Sequence, residues 1–211
     1  MFQPRTNRRN KSRRSASTRT RAERPRPCAE AFEPRLLLSG TSYLVDSLLD
    51  VVAADGAVTL REALEAANTN APVFDAPAGS DTETDTIEFD PALGGETIVL
   101  DGEQLSILDA TEILAPETGR ITIDADGRSR VMFAGGETLL EGLILAGGFL
   151  AAGEGVGGGI VVANANTATM QNCAVLRNVA GAGGGVASVS SGDLSMESCV
   201  IAGNSAFAAG G

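Results

Sequence analysis

The C-terminal part of the sequence repeats with a period of 26 residues. The glycine triplet that begins at Gly157 returns at Gly183. The same spacing relates four further pairs: Met170 and Met196, Cys173 and Cys199, Val175 and Ile201, and Asn178 and Asn204. A short repeat of strand-forming residues and glycine-rich turns is typical of a β-solenoid, in which each repeat forms one coil that stacks on the previous coil. The sequence therefore predicts a mainly β fold of stacked parallel coils.

Stacking assigns structural roles to the repeated side chains. Parallel coils lie one strand spacing, ~4.8 Å, apart, so residues one repeat apart lie directly above each other. We expect the Met, Cys and aliphatic pairs to face inward as apolar ladders, and Asn178 and Asn204 to hydrogen-bond along a turn. Stacked thiols serve as small apolar groups, which favours free Cys173 and Cys199; a disulfide between them is the alternative.

The segment TLREALEAAN predicts a helix over residues 59–68. Thr59 and Glu62 form a capping box, in which each side chain pairs with the backbone N–H of the other residue. The apolar residues that follow fall on one helical stripe: Leu60, Ala63, Leu64 and Ala67. We expect this helix to cover the N-terminal end of the solenoid, because an open strand edge promotes aggregation. Strands near Ile98, residues 121–123 and residues 140–144 would form the first coils.

The charges are divided between two parts of the chain, whose formal net charge is −11. Residues 1–40 carry eleven Arg or Lys against three acids, whereas the remainder carries five Arg against 24 acids. The basic part is rich in Ser, Thr and Pro and poor in apolar residues, which predicts disorder. The sequence contains no His, so imidazole general bases and His-ligated metal sites are excluded. No run approaches the ~20 apolar residues of a membrane span, so we predict no transmembrane segment.

The basic part ends in FEPRLLLSG, residues 32–40. This segment resembles the LEPR-XLL motif, which follows a basic stretch at the start of very large, repetitive bacterial surface proteins. Phe32 replaces the leading Leu of the motif, while Glu33, Pro34, Arg35 and the residues at 37–39 match. The resemblance implies that residues 1–40 are a leader for export.

The helical segment resembles the CSLREA module of secreted bacterial proteins. Residues 59–63 and 66–68 match its pattern, and Val58 stands where the module has its Cys. The likeness continues through DTIEFDPAL, ETIVLDGEQLSI, ITIDADGRSRVMFAGG and LLEGLILAGG, and covers residues 42–211. It implies a right-handed parallel β-helix of the pectate-lyase-like kind, with a capping region over residues 41–95 and coils over residues 96–211.

The segment between the helix and the second strand is the candidate metal site. Asp81, Glu83 and Asp85 alternate as calcium ligands often do, but Thr86 stands where an EF-hand loop requires Gly. We therefore predict a solvated acidic loop without metal or other cofactor, with calcium as the alternative. Asp124 and Asp126 precede a glycine, which predicts a turn.

Fold alone does not decide function, because polysaccharide lyases and pectin hydrolases also use parallel β-helices. A lyase needs an Arg or Lys base beside acidic calcium ligands. None of the arginines after residue 40 lies in a recognisable catalytic cluster of the sequence: Arg61, Arg120, Arg128, Arg130 and Arg177. We therefore predict an exported, non-enzymatic surface or extracellular protein of structural or adhesin-like type. The alternatives are a polysaccharide lyase or hydrolase, and nucleic-acid binding by the basic arm.

The expected partners follow from the same reasoning. Specific nucleic-acid binding is not expected, because the arm has no interleaved aromatic residues and precedes an acidic body. Extracellular carbohydrate or another surface protein are the candidate ligands. The residues at 209–211, Ala-Gly-Gly, lie one period after the second glycine triplet. We therefore expect the solenoid to be truncated at residue 211 and to pack against further coils or domains downstream.

Overall fold

Residues 40–164 and 166–207, which the computed structural model describes, wind into a β-solenoid of about five turns with one short α-helix. The predicted fold class is confirmed. The predicted disordered arm lies outside the described residues, apart from Gly40, as do residue 165 and residues 208–211. The helix, α1, comprises Leu60–Thr69, and a short 3-10 turn comprises Pro91–Leu93. No described helix is long and apolar enough to cross a membrane.

The coils build three parallel sheets and a small corner pair. Sheet A contains, in order, β1 (Ser42–Val45), β2 (Asp85–Phe89), β5 (Thr111–Leu114), β8 (Thr138–Glu141), β11 (Thr167–Gln171) and β15 (Asp193–Glu197). Sheet B contains β3 (Thr97–Val99), β6 (Ile121–Asp124), β9 (Leu143–Ala146), β12 (Ala174–Leu176) and β16 (Val200–Ala202). Sheet C contains β4 (Leu105–Ile107), β7 (Met132–Ala134), β10 (Ile160–Val162) and β14 (Val186–Ser188). The corner pair is β13 (Val179–Ala180) and β17 (Ser205–Ala206).

The length of a turn varies along the solenoid. In sheet A, Asp85 pairs with Thr111, which pairs with Thr138 27 residues later. Thr138 then pairs with Ala168, 30 residues on, and Ala168 pairs with Leu194 after the regular 26. The sequence period is therefore strict only in the last full turn, because the loop after β9 lengthens the turn before it. β1 and β2 already join sheet A, so the parallel pairing extends further towards the N-terminus than residue 96.

The core is a narrow column of aliphatic side chains. Alternate residues of each strand face inward, as expected for a sheet with one buried face. The central row of sheet A stacks Ile87, Ile113, Leu140 and Met170 in register, and all four are fully buried. Each fully buried side chain of this size contributes about 1.5–3 kcal/mol relative to exposure. Thin layers of aliphatic residues thus supply the core that few aromatic residues are present to fill.

Candidate functional site

The N-terminal end of the solenoid is closed by a buried capping box. The Thr59 side chain accepts from the Glu62 backbone N–H at 3.2 Å, and Glu62 Oε2 accepts from the Thr59 N–H at 3.0 Å. The other carboxylate oxygen of Glu62 accepts from the Ala53 N–H at 2.8 Å, and the side chain is fully buried. Glu62 therefore begins the helix and also fixes the loop that leads into it.

The helix carries side chains that take the place of a neighbouring strand. Asn68 Nδ2 donates to the Ser106 carbonyl at 2.8 Å, and its Oδ1 accepts from the Leu108 N–H at 2.7 Å. The helix runs to Thr69 and ends with Asn70 in the left-handed conformation, one residue beyond the predicted end at 68. The amide of Asn68 thus satisfies backbone groups at the edge of the first coil that would otherwise invite another strand.

The two ladder asparagines form a hydrogen-bonded column. Asn178 is fully buried, and its Oδ1 accepts from the Gly148 N–H at 2.7 Å. Its Nδ2 donates to the Leu145 carbonyl and to Asn204 Oδ1, each at 3.0 Å. Asn204 repeats the pattern, because its Oδ1 accepts from the Asn178 backbone N–H at 2.9 Å and its Nδ2 donates to the Val175 carbonyl at 2.8 Å. Each asparagine therefore joins its own coil to the coil before it.

The asparagine column explains the recurrence of the last glycine of each triplet. A Cβ on Gly159 would lie 2.8 Å from Asn178 Nδ2 and 2.6 Å from the Gly185 carbonyl oxygen. A Cβ on Gly185 would lie 2.7 Å from the side chain of Asn204. Neither position can hold a side chain while the asparagine occupies the corner. The glycine and the asparagine recur together because they pack against each other within one coil.

The two cysteines stack as free thiols. Cys173 is fully buried, and its thiol donates to the Leu140 carbonyl at 3.4 Å and to the Gln171 carbonyl at 3.2 Å. Burial raises the pKa of the Cys173 thiol to about 11. Cys199 makes the equivalent bond to the Met170 carbonyl at 3.3 Å but is only partly buried, since no described coil covers it. The same side chain therefore has two environments, one in the interior and one at the end.

We expect these environments to separate the reactivity of the two thiols. Iodoacetamide at pH 8 should alkylate Cys199 at least about 100-fold faster than Cys173, because reaction requires an accessible thiolate and Cys173 must first be exposed by local opening. Peptide mapping by mass spectrometry over a time course measures both rates in the native chain. The same reaction in denaturant is the control, and both sites should then react at similar rates. Equal rates in the native chain would contradict the burial of Cys173.

The other end of the solenoid exposes the layer that is buried one coil earlier. Met170 and Val175 are fully buried, whereas their partners in register, Met196 and Ile201, are 41% and 50% exposed. Phe207 is also exposed and packs only at its edge against Phe149, with ring centroids 6.4 Å apart. The described residues thus end in an apolar layer rather than in a cap.

The backbone at this end is unpaired in the same way. The N–H groups of Asn172 and Arg177 donate to carbonyls of the last described coil, at 3.0 Å and 3.2 Å. The equivalent groups one period later, on Ser198 and Gly203, have no acceptor among residues 40–164 and 166–207. These donors lie at the edge of sheet B and its flanking turns, where a further coil would supply acceptors in register.

The acidic loop places its three candidate calcium ligands in different environments. Asp85 is buried, and its Oδ1 accepts from the Thr41 N–H at 2.7 Å and from the Ser80 N–H at 3.1 Å. Burial raises the pKa of Asp85, while these two hydrogen bonds oppose the rise. Asp81 is exposed and Glu83 is partly buried. Asp85 therefore fastens the start of sheet A to the loop, and within the described ranges no three His, Cys, Asp or Glu residues are placed to hold a metal ion.

Three of the arginines are engaged in structural contacts. Arg61 forms a two-pronged ion pair with Asp50, with N–O distances of 2.7 Å and 2.8 Å. Arg130 donates to the Val156 and Gly157 carbonyls at 3.0 Å each, and burial lowers its pKa. These contacts tie the capping loop and the long turn after β9 to the coils.

The remaining arginines lie on the surface. Arg128 pairs with Asp126 at 2.8 Å and with Asp101 at 3.3 Å, and the bond from Asp126 raises its pKa further. Arg128 therefore stays protonated, which is unsuitable for a general base. Arg177 is exposed in a left-handed turn, and no carboxylate of the described residues lies within ion-pair distance. Asp126 and Gly127 adopt left-handed angles in the predicted turn.

Comparison with known proteins gives no relative from which a function could be transferred. A scan against protein-family models, a search of curated proteins and a search of solved structures each found no match to this chain.

Proposed function

We propose that this chain provides a non-enzymatic β-solenoid module of an exported cell-surface or extracellular protein, with a structural or adhesin-like role. The observation that carries the proposal is the difference between the two ends of the solenoid. At one end, Glu62 and Asn68 satisfy the loop and strand edge beneath the helix. At the other end, Met196 and Ile201 form an uncovered apolar layer. A solenoid with one closed and one open end is suited to act as the first unit of a longer stack.

The ladders support the same role, because their geometry can be repeated. Each added coil finds the hydrogen-bond acceptors, the asparagine corner and the inward side chains of the coil before it. The stability of such an array is close to the sum of the terms between neighbouring coils. A rod of this kind can present distant surface groups at fixed spacing without needing a catalytic centre.

Export is the second part of the proposal, and it rests on the resemblance of residues 32–40 to the LEPR-XLL motif and on the division of charge. We expect a reporter fused to the full chain to reach the surface or the medium of a bacterial host that carries LEPR-XLL proteins. Removal of residues 1–40 should reduce the exported fraction by about tenfold or more, measured by fractionation and immunoblotting. The matched control keeps all 211 residues but scrambles the order of residues 32–40. Equal export of the full and shortened chains would contradict the leader assignment without affecting the stacking role.

A further inference from the structure

The outer face of sheet A carries an apolar concavity that coil stacking does not require. Its volume is about 620 Å³, and it lies between the sheet and the turns that follow β2 and β5. The Thr118 hydroxyl donates to the Pro91 carbonyl at 2.7 Å and holds these two turns together. We name this concavity the acid-rimmed groove; its floor is formed by Leu44, Pro91, Leu114, Ala115 and Pro116, and its rim carries Glu88, Glu117 and Glu141.

The floor of the acid-rimmed groove is apolar where the sheet otherwise faces solvent. Leu44 is 54% exposed, and Leu114 is partly exposed on the same outer face. Single exposed leucines are common on protein surfaces, but two leucines and two prolines grouped in one concavity are typical of a contact surface. The core does not account for these leucines, because the inward positions of their strands are filled by Val45 and Ile113.

The rim selects the charge of the partner. In register, Leu44 lies beside Glu88, Glu88 beside Leu114, and Leu114 beside Glu141. Two strand spacings place the backbone positions of the two glutamates ~9.6 Å apart, with Leu114 between them. The described residues that line the groove include no Arg or Lys. A partner therefore needs two cationic groups about 10 Å apart, separated by an apolar group.

An extended peptide matches this arrangement. In an extended chain, two arginines separated by two residues lie ~10 Å apart, so Arg-Leu-Leu-Arg brings two guanidinium groups to the rim and leucine to the floor. A sugar polymer matches it less well, because sugars pack on exposed rings and the single aromatic residue of the lining, Phe89, is buried. We propose that the acid-rimmed groove binds an extended segment of another polypeptide in which apolar residues are flanked by arginine or lysine.

The test titrates the full chain into a fluorescein-labelled peptide GRLLRG and follows fluorescence anisotropy. Saturable binding is expected, and it should weaken as NaCl is raised, because the ion pairs are exposed to screening. The double variant E88Q/E141Q should bind about fivefold more weakly. The double variant L44T/L114T should bind about tenfold more weakly, since threonine keeps the strand but removes the apolar floor. The charge-matched control E65Q/E154Q, placed outside the groove, should bind as the unchanged chain does.

Three outcomes would overturn the proposal. The first is equal binding of GRGGRG, which would mean that attraction to any polycation accounts for the signal. The second is tighter binding of an amino-sugar oligomer with the same dependence on Glu88 and Glu141, which would make the groove a carbohydrate site. The third is a concentration-dependent dimer that E88Q/E141Q abolishes, which would make a second copy of the chain the occupant. Far-ultraviolet circular dichroism of every variant confirms that the solenoid is retained.

Discussion

Replacement of Asn178 by alanine is expected to lower the free energy of unfolding by about 3–5 kcal/mol. The substitution leaves the Gly148 N–H and the Leu145 carbonyl without their partners inside the corner of the coil. Each buried polar group without a partner costs about 1–3 kcal/mol, and the smaller side chain also leaves a cavity. Equilibrium unfolding in urea, read as a shift of the midpoint at constant slope, measures the loss.

Asn204 provides the matched control, because it holds the same position one period later. Its side chain makes the equivalent bond to the Val175 carbonyl, but it is only partly buried, so water can replace the lost groups. Asn204→Ala should therefore cost about 1 kcal/mol. Losses of equal size at the two positions would mean that the asparagines act only through local turn propensity and not through the buried column.

The sequence period was sufficient to predict the last coil contacts. Met170 pairs with Met196 and Val175 with Ile201 in sheets A and B, as a spacing of 26 residues requires. Side chains one period apart must stack once the coils are parallel, so no further information was needed there. The sequence also predicted Thr59 as the residue that caps the helix, since a capping box is a local pattern.

The earlier coils were less accessible to the same reasoning. Gly148 takes the position of the asparagine column one coil before Asn178, but it lies 30 residues away and carries no side chain to identify it. A loop of variable length resets the spacing without changing the stacking, because only the strands must remain in register. The packing of Gly159 against Asn178 likewise depends on contacts across the corner, which a linear pattern does not reveal.

The acidic loop shows a second limit of sequence patterns. Asp81, Glu83 and Asp85 alternate in sequence, which would place them on one side of an extended strand. In the structure β2 begins only at Asp85, and the preceding residues form bends, so the alternation ends before the three carboxylates can converge. Asp85 is directed inward and binds backbone N–H groups instead. The distinction depends on where a strand begins, which is the least certain feature of any sequence pattern.

The open end should accept a further coil in register. Appending a copy of residues 186–206 after residue 211 keeps the 26-residue phase, since residue 211 lies one period after Gly185. The cysteine of the copy is replaced by alanine so that Cys199 remains the reporter thiol. We expect alkylation of Cys199 to slow towards the rate of Cys173, because the new coil covers it. The free energy of unfolding should rise by about 2–4 kcal/mol as Met196, Val200 and Ile201 become buried.

The matched control is the same extension with one additional glycine before the copied segment. This single residue shifts the register by one, which turns the inward side chains of sheet strands outward and removes the asparagine from its corner. The shifted coil contains the same residues but cannot continue the ladders, so Cys199 should stay reactive and the unfolding midpoint should remain unchanged. If both extensions protected Cys199 equally, any added apolar chain would suffice, and the open end would not specify the coil that stacks on it.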